Sequence, residues 1–255
     1  VSALPLEQRG ELSPAEKFDL LRGDASYTLT QAARRESDFS AVSWAGLCHG
    51  WAQAALAYEE PQPKVVRGAG GFDIPFASSD LKALLSYWMG EASDGRTRFV
   101  GRRCDTVPDG SPACNDLDAG AFHVVLANLL GRAGRGFVVD FDPGRPIWNY
   151  PVHAYTTRVV GTPSPGSVEV ETVVRHPSLA RPRAVAYAGK PDLYSETTVR
   201  LRYRLELDGQ RQIVGGTWLV ADHPDFLWTQ EVKGFAGIFA PLRDLVNPIE
   251  SSSGG

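Results

Sequence analysis

The stretch Thr198-Val-Arg-Leu-Arg-Tyr-Arg-Leu-Glu-Leu207 sets Val199, Leu201, Tyr203, Leu205 and Leu207 against Arg200, Arg202, Arg204 and Glu206. Alternation of apolar and charged side chains is the period of a strand with one face buried and the other wet. Asp208-Gly209 follows as a hairpin turn signal, and Gln212-Ile-Val214 begins the return strand. Upstream, Phe122-His-Val-Val-Leu126 and Gly136-Phe-Val-Val-Asp140 read as two further strands joined by a turn at Gly131-Arg-Ala-Gly134. The second half of the chain is thus predicted to be a predominantly antiparallel sheet.

The first third reads as helices. In Leu12-Ser-Pro-Ala-Glu16, Ser13 caps, Pro14 sits where a missing N–H costs nothing, and Glu16 closes the capping box. The helix is predicted over residues 14–22, stopping at Gly23, with Ala15, Phe18, Leu20 and Leu21 buried. A second, rich in Ala and Leu, runs from about Cys48 to Tyr58 and ends before Pro61. A third covers about residues 80–90, capped from Ser78 or Ser79, with Leu81, Leu84, Leu85 and Trp88 at helical spacing. Helices first and sheet afterwards is the α+β order. The expectation is one catalytic unit over residues 1–250, helical over about 12–92 and sheet over about 121–230, with 251–255 a tail.

With 255 residues and 43% hydrophobic content, the chain can bury one substantial core or two small ones, which excludes disorder as its main state. A formal charge of -4 leaves no basic field, and base-stacking motifs are not evident, so nucleic acid is not an expected partner. No apolar run approaches the roughly 20 residues of a membrane helix. The chain opens Val1-Ser2 and its one methionine is Met89, which reads as a processed N-terminus with any signal peptide removed.

Cys104 and Cys114 bracket a Pro- and Gly-containing loop and can close a disulfide, worth about 2.5 kcal/mol on the chain-entropy model. That bond implies a secreted or periplasmic protein. The alternative is two reduced thiols in a surface loop; zinc would need a second ligand pair that the loop lacks. Cys48 is then the odd cysteine. It sits between Gly46 and Gly50 where a loop enters a helix, and a helix N-terminus favours a thiolate and can hold a developing oxyanion. The other reading is a small buried cysteine.

A nucleophilic thiol needs a base. His49 adjoins Cys48, but a neighbour on the same helical turn is expected to point away. His123 is the expected base, with Asp140 brought beside it if the two predicted strands pair, so that its carboxylate fixes the imidazole tautomer. Asp142 is the alternative orienter, and a core histidine with a polar turn is the plainer account of both. His153, His176 and His223 lie beside loops or proline and read as surface residues. Asp105, Asp109, Asp116 and Asp118 lack the ordered calcium-loop pattern and read as solvated carboxylates; the sequence requires no cofactor.

Gly46-Leu-Cys-His-Gly-Trp-Ala52, Gly120-Ala-Phe-His-Val-Val-Leu-Ala-Asn128, Asp140-Phe-Asp-Pro143 and Ile147-Trp-Asn-Tyr-Pro-Val152 together resemble the transglutaminase elicitor family, known from secreted proteins of oomycete plant pathogens. The capped helix, the cysteine pair, Gly215-Gly-Thr-Trp218 and Pro224-Asp-Phe-Leu-Trp228 extend the resemblance over nearly the whole chain. The resemblance implies a papain/transglutaminase-like core and acyl transfer with Cys48 as nucleophile, His123 as base and Asp140 as orienter. It also brings calcium as a cofactor, and makes the stretch around Trp148 and Asn149 a surface loop for recognition. Here Tyr150 stands where the family usually has Gln, and 21 Arg against 5 Lys resemble a bacterial coding bias.

The implied partners are a peptidyl-glutamine donor and an amine acceptor, with no membrane span. Backbone N–H groups and the Trp44 indole are the oxyanion candidates. The rivals are a papain-like peptidase or an amidase/deamidase using the same residues, and a catalytically silent elicitor or binding module.

Overall fold

A computed structural model describes residues 4–37, 46–102, 117–141, 147–178, 183–187, 190 and 195–249. Its contacts group the chain into two compact units: Val1–Asp94, Ala180–Tyr194 and Val232–Ile249 form the first, and Gly95–Leu179, Ser195–Glu231 and Glu250–Gly255 the second. Cys104 and Cys114, Trp44 and Asp142 lie outside the described residues, as do Asp105, Asp109 and Asp116.

The first unit is helical. Helix α1 spans Leu6–Gly10 and α2 spans Pro14–Arg22. The α2 start is the predicted capping box, and Gly23 ends it at φ 71°, a left-handed position suited to glycine. Helix α3, Thr28–Glu36, has no cap of its own. The fully buried Asp19 carboxylate supplies one, accepting from the Leu29 N–H at 3.1 Å, the Thr30 N–H at 2.9 Å and the Thr30 hydroxyl at 2.8 Å. Helix α4 spans Cys48–Ala57 and α5 spans Ser78–Tyr87, which continues as a π-helical turn, Trp88–Ala92. The α5 cap is Ala77 rather than Ser78 or Ser79, its N–H held at 2.7 Å by the Asp80 carboxylate. Strands β1 (Lys64–Arg67) and β2 (Asp73–Phe76) form a hairpin. Phe18, Leu29, Leu81, Leu84, Leu85, Trp88, Met89 and the C-terminal Phe239 and Leu242 make the core.

The second unit carries two antiparallel four-stranded sheets. In the first, in the order β3-β10-β4-β5, the strands are β3 (Thr97–Gly101), β4 (Phe137–Asp140), β5 (Tyr150–Val152) and β10 (Phe226–Gln230). In the second, β6 (Ala154–Ser164), β7 (Ser167–Pro177), β8 (Glu196–Leu207) and β9 (Ile213–Trp218) follow in chain order. As predicted, Leu201, Tyr203 and Leu205 of β8 face the core, while Arg200 and Arg204 pair across strands with Glu171 and Glu169, each at 2.7 Å. The β8–β9 connection is longer than a two-residue turn. Asp208 accepts from the Gln210 and Gln212 N–H groups at 2.9 and 2.8 Å, and Arg211, not Gly209, takes the positive φ of 62°.

One predicted strand is a helix. Residues Ala119–Leu126 form α6, continued by a π-helical turn, Ala127–Arg132. Asp118 caps α6 through the Ala121 N–H at 2.9 Å, and Phe122 and Leu126, four apart, are fully buried while Val124 is exposed. That is a helical burial pattern, not the alternation of a strand. The expected ladder between residues 123 and 140 therefore does not exist; β4 pairs with β5 and β10.

Glycines let α6 lie directly on β9. A Cβ at Gly120 would stand 2.5 Å from the Gly215 carbonyl, and one at Gly216 would stand 2.6 Å from the Gly120 nitrogen. Asp118 and the Trp218 indole fasten the fit, the carboxylate accepting from the Gly216 N–H at 3.1 Å and the indole donating to the Leu117 carbonyl at 2.7 Å. Gly120→Ala is expected to lower stability by about 1–3 kcal/mol through overpacking, read as a fall in the denaturation midpoint with little change in slope.

Candidate active site

Leu47 precedes α4 without a side-chain cap, and the first intrahelical bond runs from the Trp51 N–H to the Leu47 carbonyl at 2.8 Å. Cys48 is thus the first residue of α4, its thiol in no disulfide and partly exposed rather than sealed in the core. His49, expected to point away, instead interacts with Cys48, and that interaction is the first cause that raises its pKa. Its Nε2 stands 3.4 Å from Glu91 Oε1 on the π-helical turn. Contact with Cys48, and next the charges of Cys48 and Glu91, hold the His49 pKa above its ordinary 6.5 against the opposing effect of burial.

The approach of the two backbones depends on glycine. A Cβ at Gly50 would meet the Ser86 carbonyl oxygen at 2.0 Å and the Gly90 nitrogen at 2.8 Å; one at Gly90 would meet His49 Nε2 at 2.8 Å. Sequence reasoning missed Glu91 and set His49 aside. The signal present was the Cys-His-Gly triplet at a helix start together with the lone Gly90 beside Glu91.

In the second unit His123 lies on α6, its Nδ1 at 2.8 Å from the Tyr203 hydroxyl, which bonds onward to Thr172 Oγ1 at 2.7 Å. The expected partner of this ring was Asp140; a phenol on the buried face of β8 occupies Nδ1 instead. Burial lowers the His123 pKa and so favours the neutral imidazole, and burial raises that of Tyr203, keeping it a phenol. Asp140, at the end of β4, is fully buried and accepts from the Trp148 N–H at 3.4 Å.

The expected substrate loop is partly core. Asn149 is buried, its Oδ1 accepting from the Trp228 indole at 2.9 Å, whereas Trp148 is half-buried and Ile147 exposed. His176, expected at the surface, is buried against Tyr150, with ring centroids 4.6 Å apart, while His153 is paired with Glu196 at 2.9 Å and His223 is stacked on Trp218. A cleft of about 540 Å³ in this unit is lined by Arg96, Arg98, Arg135, Val124 and Asn128 among others, with His123 absent from its walls. Among the described residues no three of His, Cys, Asp and Glu converge on a metal site. No helix among those residues is long and apolar enough to cross a membrane.

The family model for the transglutaminase elicitor matches residues 19–164, more than half of the chain. The chain belongs to that family. Among solved structures it is similar to the GP42 transglutaminase from Phytophthora sojae, with a TM-score of 0.64 and 23% identity over 91% of this chain and 80% of that one. At that identity the likeness establishes the fold, a mixed α+β core of the transglutaminase elicitor kind. No curated protein matches the sequence.

The histidine shifts carry a signed prediction. His123 and His176, both lowered mainly by burial, contribute stability that is present above their unfolded value near 6.5 and lost as pH falls through their folded values. His49, raised, works in the opposite sense: its contribution is complete below 6.5 and is lost as pH rises through its folded value. Melting temperatures at pH 7.5 and 5.5 are expected to converge in His123→Gln relative to the unsubstituted protein, through removal of the acid-sensitive group.

Proposed function

We propose that the protein is a secreted cysteine acyltransferase of the transglutaminase type, forming a thioester at Cys48 from a peptidyl-glutamine carboxamide and resolving it with an amine or water. The observation that carries this reading is the partly exposed Cys48 at the first turn of α4 with an imidazole in contact, in a chain of this family. The thiol proton passes through an imidazole to the leaving ammonia while sulfur bonds the carboxamide carbon and the C–N bond breaks. Backbone N–H groups at the start of α4, with Trp44, are proposed to hold the oxyanion.

His123 is proposed as the acid–base group of the second half-reaction. Burial favours its neutral form, so it can take a proton from the entering amine and return it to the departing sulfur. Asp140 is proposed as the carboxylate of the constellation, and the Cys104–Cys114 disulfide and extracellular location belong to the same proposal. No step runs through a metal ion.

The rival peptidase and amidase readings use the same thioester logic and differ in products. Mass spectrometry of a glutamine peptide mixed with an amine separates a crosslink, a one-unit gain and a cut backbone. The expected product is the amine adduct, abolished by Cys48→Ala and reduced by about 10²–10⁴-fold in His123→Gln, with the circular dichroism spectrum unchanged. Adduct formation persisting in Cys48→Ala overturns the assignment.

A further inference from the structure

Beside the nucleophile stands an ion pair that the expected triad leaves unused. His49 follows Cys48 on the first turn of α4 and interacts with it, and its Nε2 lies 3.4 Å from the Glu91 carboxylate. All three residues belong to the first unit. An exposed histidine–carboxylate pair by itself is an ordinary surface feature worth little. This one differs in how it is built. Glu91 is carried on a π-helical turn, a distortion frequent at functional sites, and Gly50 and Gly90 let that turn come onto the first turn of α4 to distances no side chain would allow. A Cβ on Gly90 would intrude on the imidazole itself, 2.8 Å from Nε2.

We propose that His49 is the imidazole that takes the Cys48 proton, held for that task by Glu91, so that the thiol is activated within the first unit. This rests on Cys48 being the nucleophile. The Sγ–H bond breaks, a proton joins the ring, and the electron pair stays on sulfur; no oxidant or co-reactant is involved. The charged imidazolium then lies between a thiolate and a carboxylate, both of which favour it. The Gly90 backbone also hydrogen-bonds the ring in the sense that favours its charged form.

The other titratable groups around this first turn leave that assignment intact. Tyr87, at the end of α5, shares the field of Glu91 and also faces Glu36 and Arg35; burial first, and then its contact with Glu36, push its phenol up, so it stays neutral. Lys82 of α5 is engaged by Glu60. Among the described residues, Glu91 is thus the carboxylate that reaches the ring, and Cys48 is the first influence on His49.

The experiment is the pH dependence of Cys48 alkylation by iodoacetamide in the full-length protein, followed on the Cys48 peptide by mass spectrometry. The unsubstituted protein is expected to show an inflexion well below the roughly 8.5 of a free thiol. His49→Gln should return the inflexion toward that value, slowing alkylation at pH 6.5 by about tenfold or more, since each unit of thiol pKa is a tenfold change in thiolate below the inflexion. Glu91→Gln, which keeps the side chain's shape, should move it part of the way, and Glu91→Asp should recover some of the loss. His153→Gln, at a histidine–glutamate pair of the second unit, should leave the profile alone. Coincident profiles for the unsubstituted protein and His49→Gln overturn the proposal, and amine incorporation in that same case leaves the acyltransferase reading standing. A depressed inflexion that depends on His49, in a protein that makes no adduct, fails that reading and supports the relay.

Discussion

The geometry of the first unit depends on a close approach between two stretches of backbone. Gly50 lies against the Ser86 carbonyl and the backbone of Gly90, and with a side chain at either glycine the α4 start and the π-helical turn would have to separate. Separation would take Glu91 from His49, and the imidazole would lose the partner that restrains it against Cys48. The glycines are unreactive, yet they fix the geometry of the reactive groups. The rest of the unit supports the same fit from below: α4 and α5 pack together, and the π-helical turn presents Trp88 and Met89 to a core shared with Phe18, Leu81 and Phe239.

The second unit treats its histidine in the opposite way. His123 is set on a helix pressed onto β9 by another glycine fit, and its ring meets a neutral phenol rather than a carboxylate. One imidazole is therefore pushed up by charged neighbours and the other down by burial. Environments that drive two titratable groups apart are how a protein keeps one proton donor and one acceptor at the same pH. His49 is therefore held toward its charged form and His123 toward its neutral one.

The sequence was most legible where local rules act alone. The capping box and terminal glycine of α2, and the alternation of β8, are each decided by neighbouring residues, and they appear in the fold at the predicted places. Residues 122–126 misled because a short apolar run is compatible with strand or helix; the decisive residue was Asp118, whose role as cap was hidden by its resemblance to a loop carboxylate. With that segment helical, the inferred contact of Asp140 with His123 lost its ladder. Tyr203 was read only as one of five inward positions, although a phenol in an otherwise aliphatic row must find a polar partner. His49 was set aside by a rule for helix interiors that is a poor guide at the first turn, where the side chain can reach its neighbour. Glu91 lies 43 positions from Cys48, and only packing brings it there.

The same physical test bears on the stretch around Trp148, which by resemblance would be a display surface. A display surface needs side chains whose polar tips are free. Here Asn149 is committed to the Trp228 indole, Pro151 and Val152 are buried on β5, and Tyr150 packs its ring against His176 and Phe141. Among the described residues 147–152, those left to meet a partner are Ile147 and the half-buried Trp148. In this chain the stretch closes an edge of the β3-β10-β4-β5 sheet, with the Trp148 N–H reaching the Asp140 carboxylate. Tyr150 in place of the usual glutamine fits that use, since an aromatic ring fills the space between Phe141 and His176 where an amide would need hydrogen-bond partners. Among the described residues next to Trp148, what remains exposed is a small apolar contact rather than a row of free polar tips.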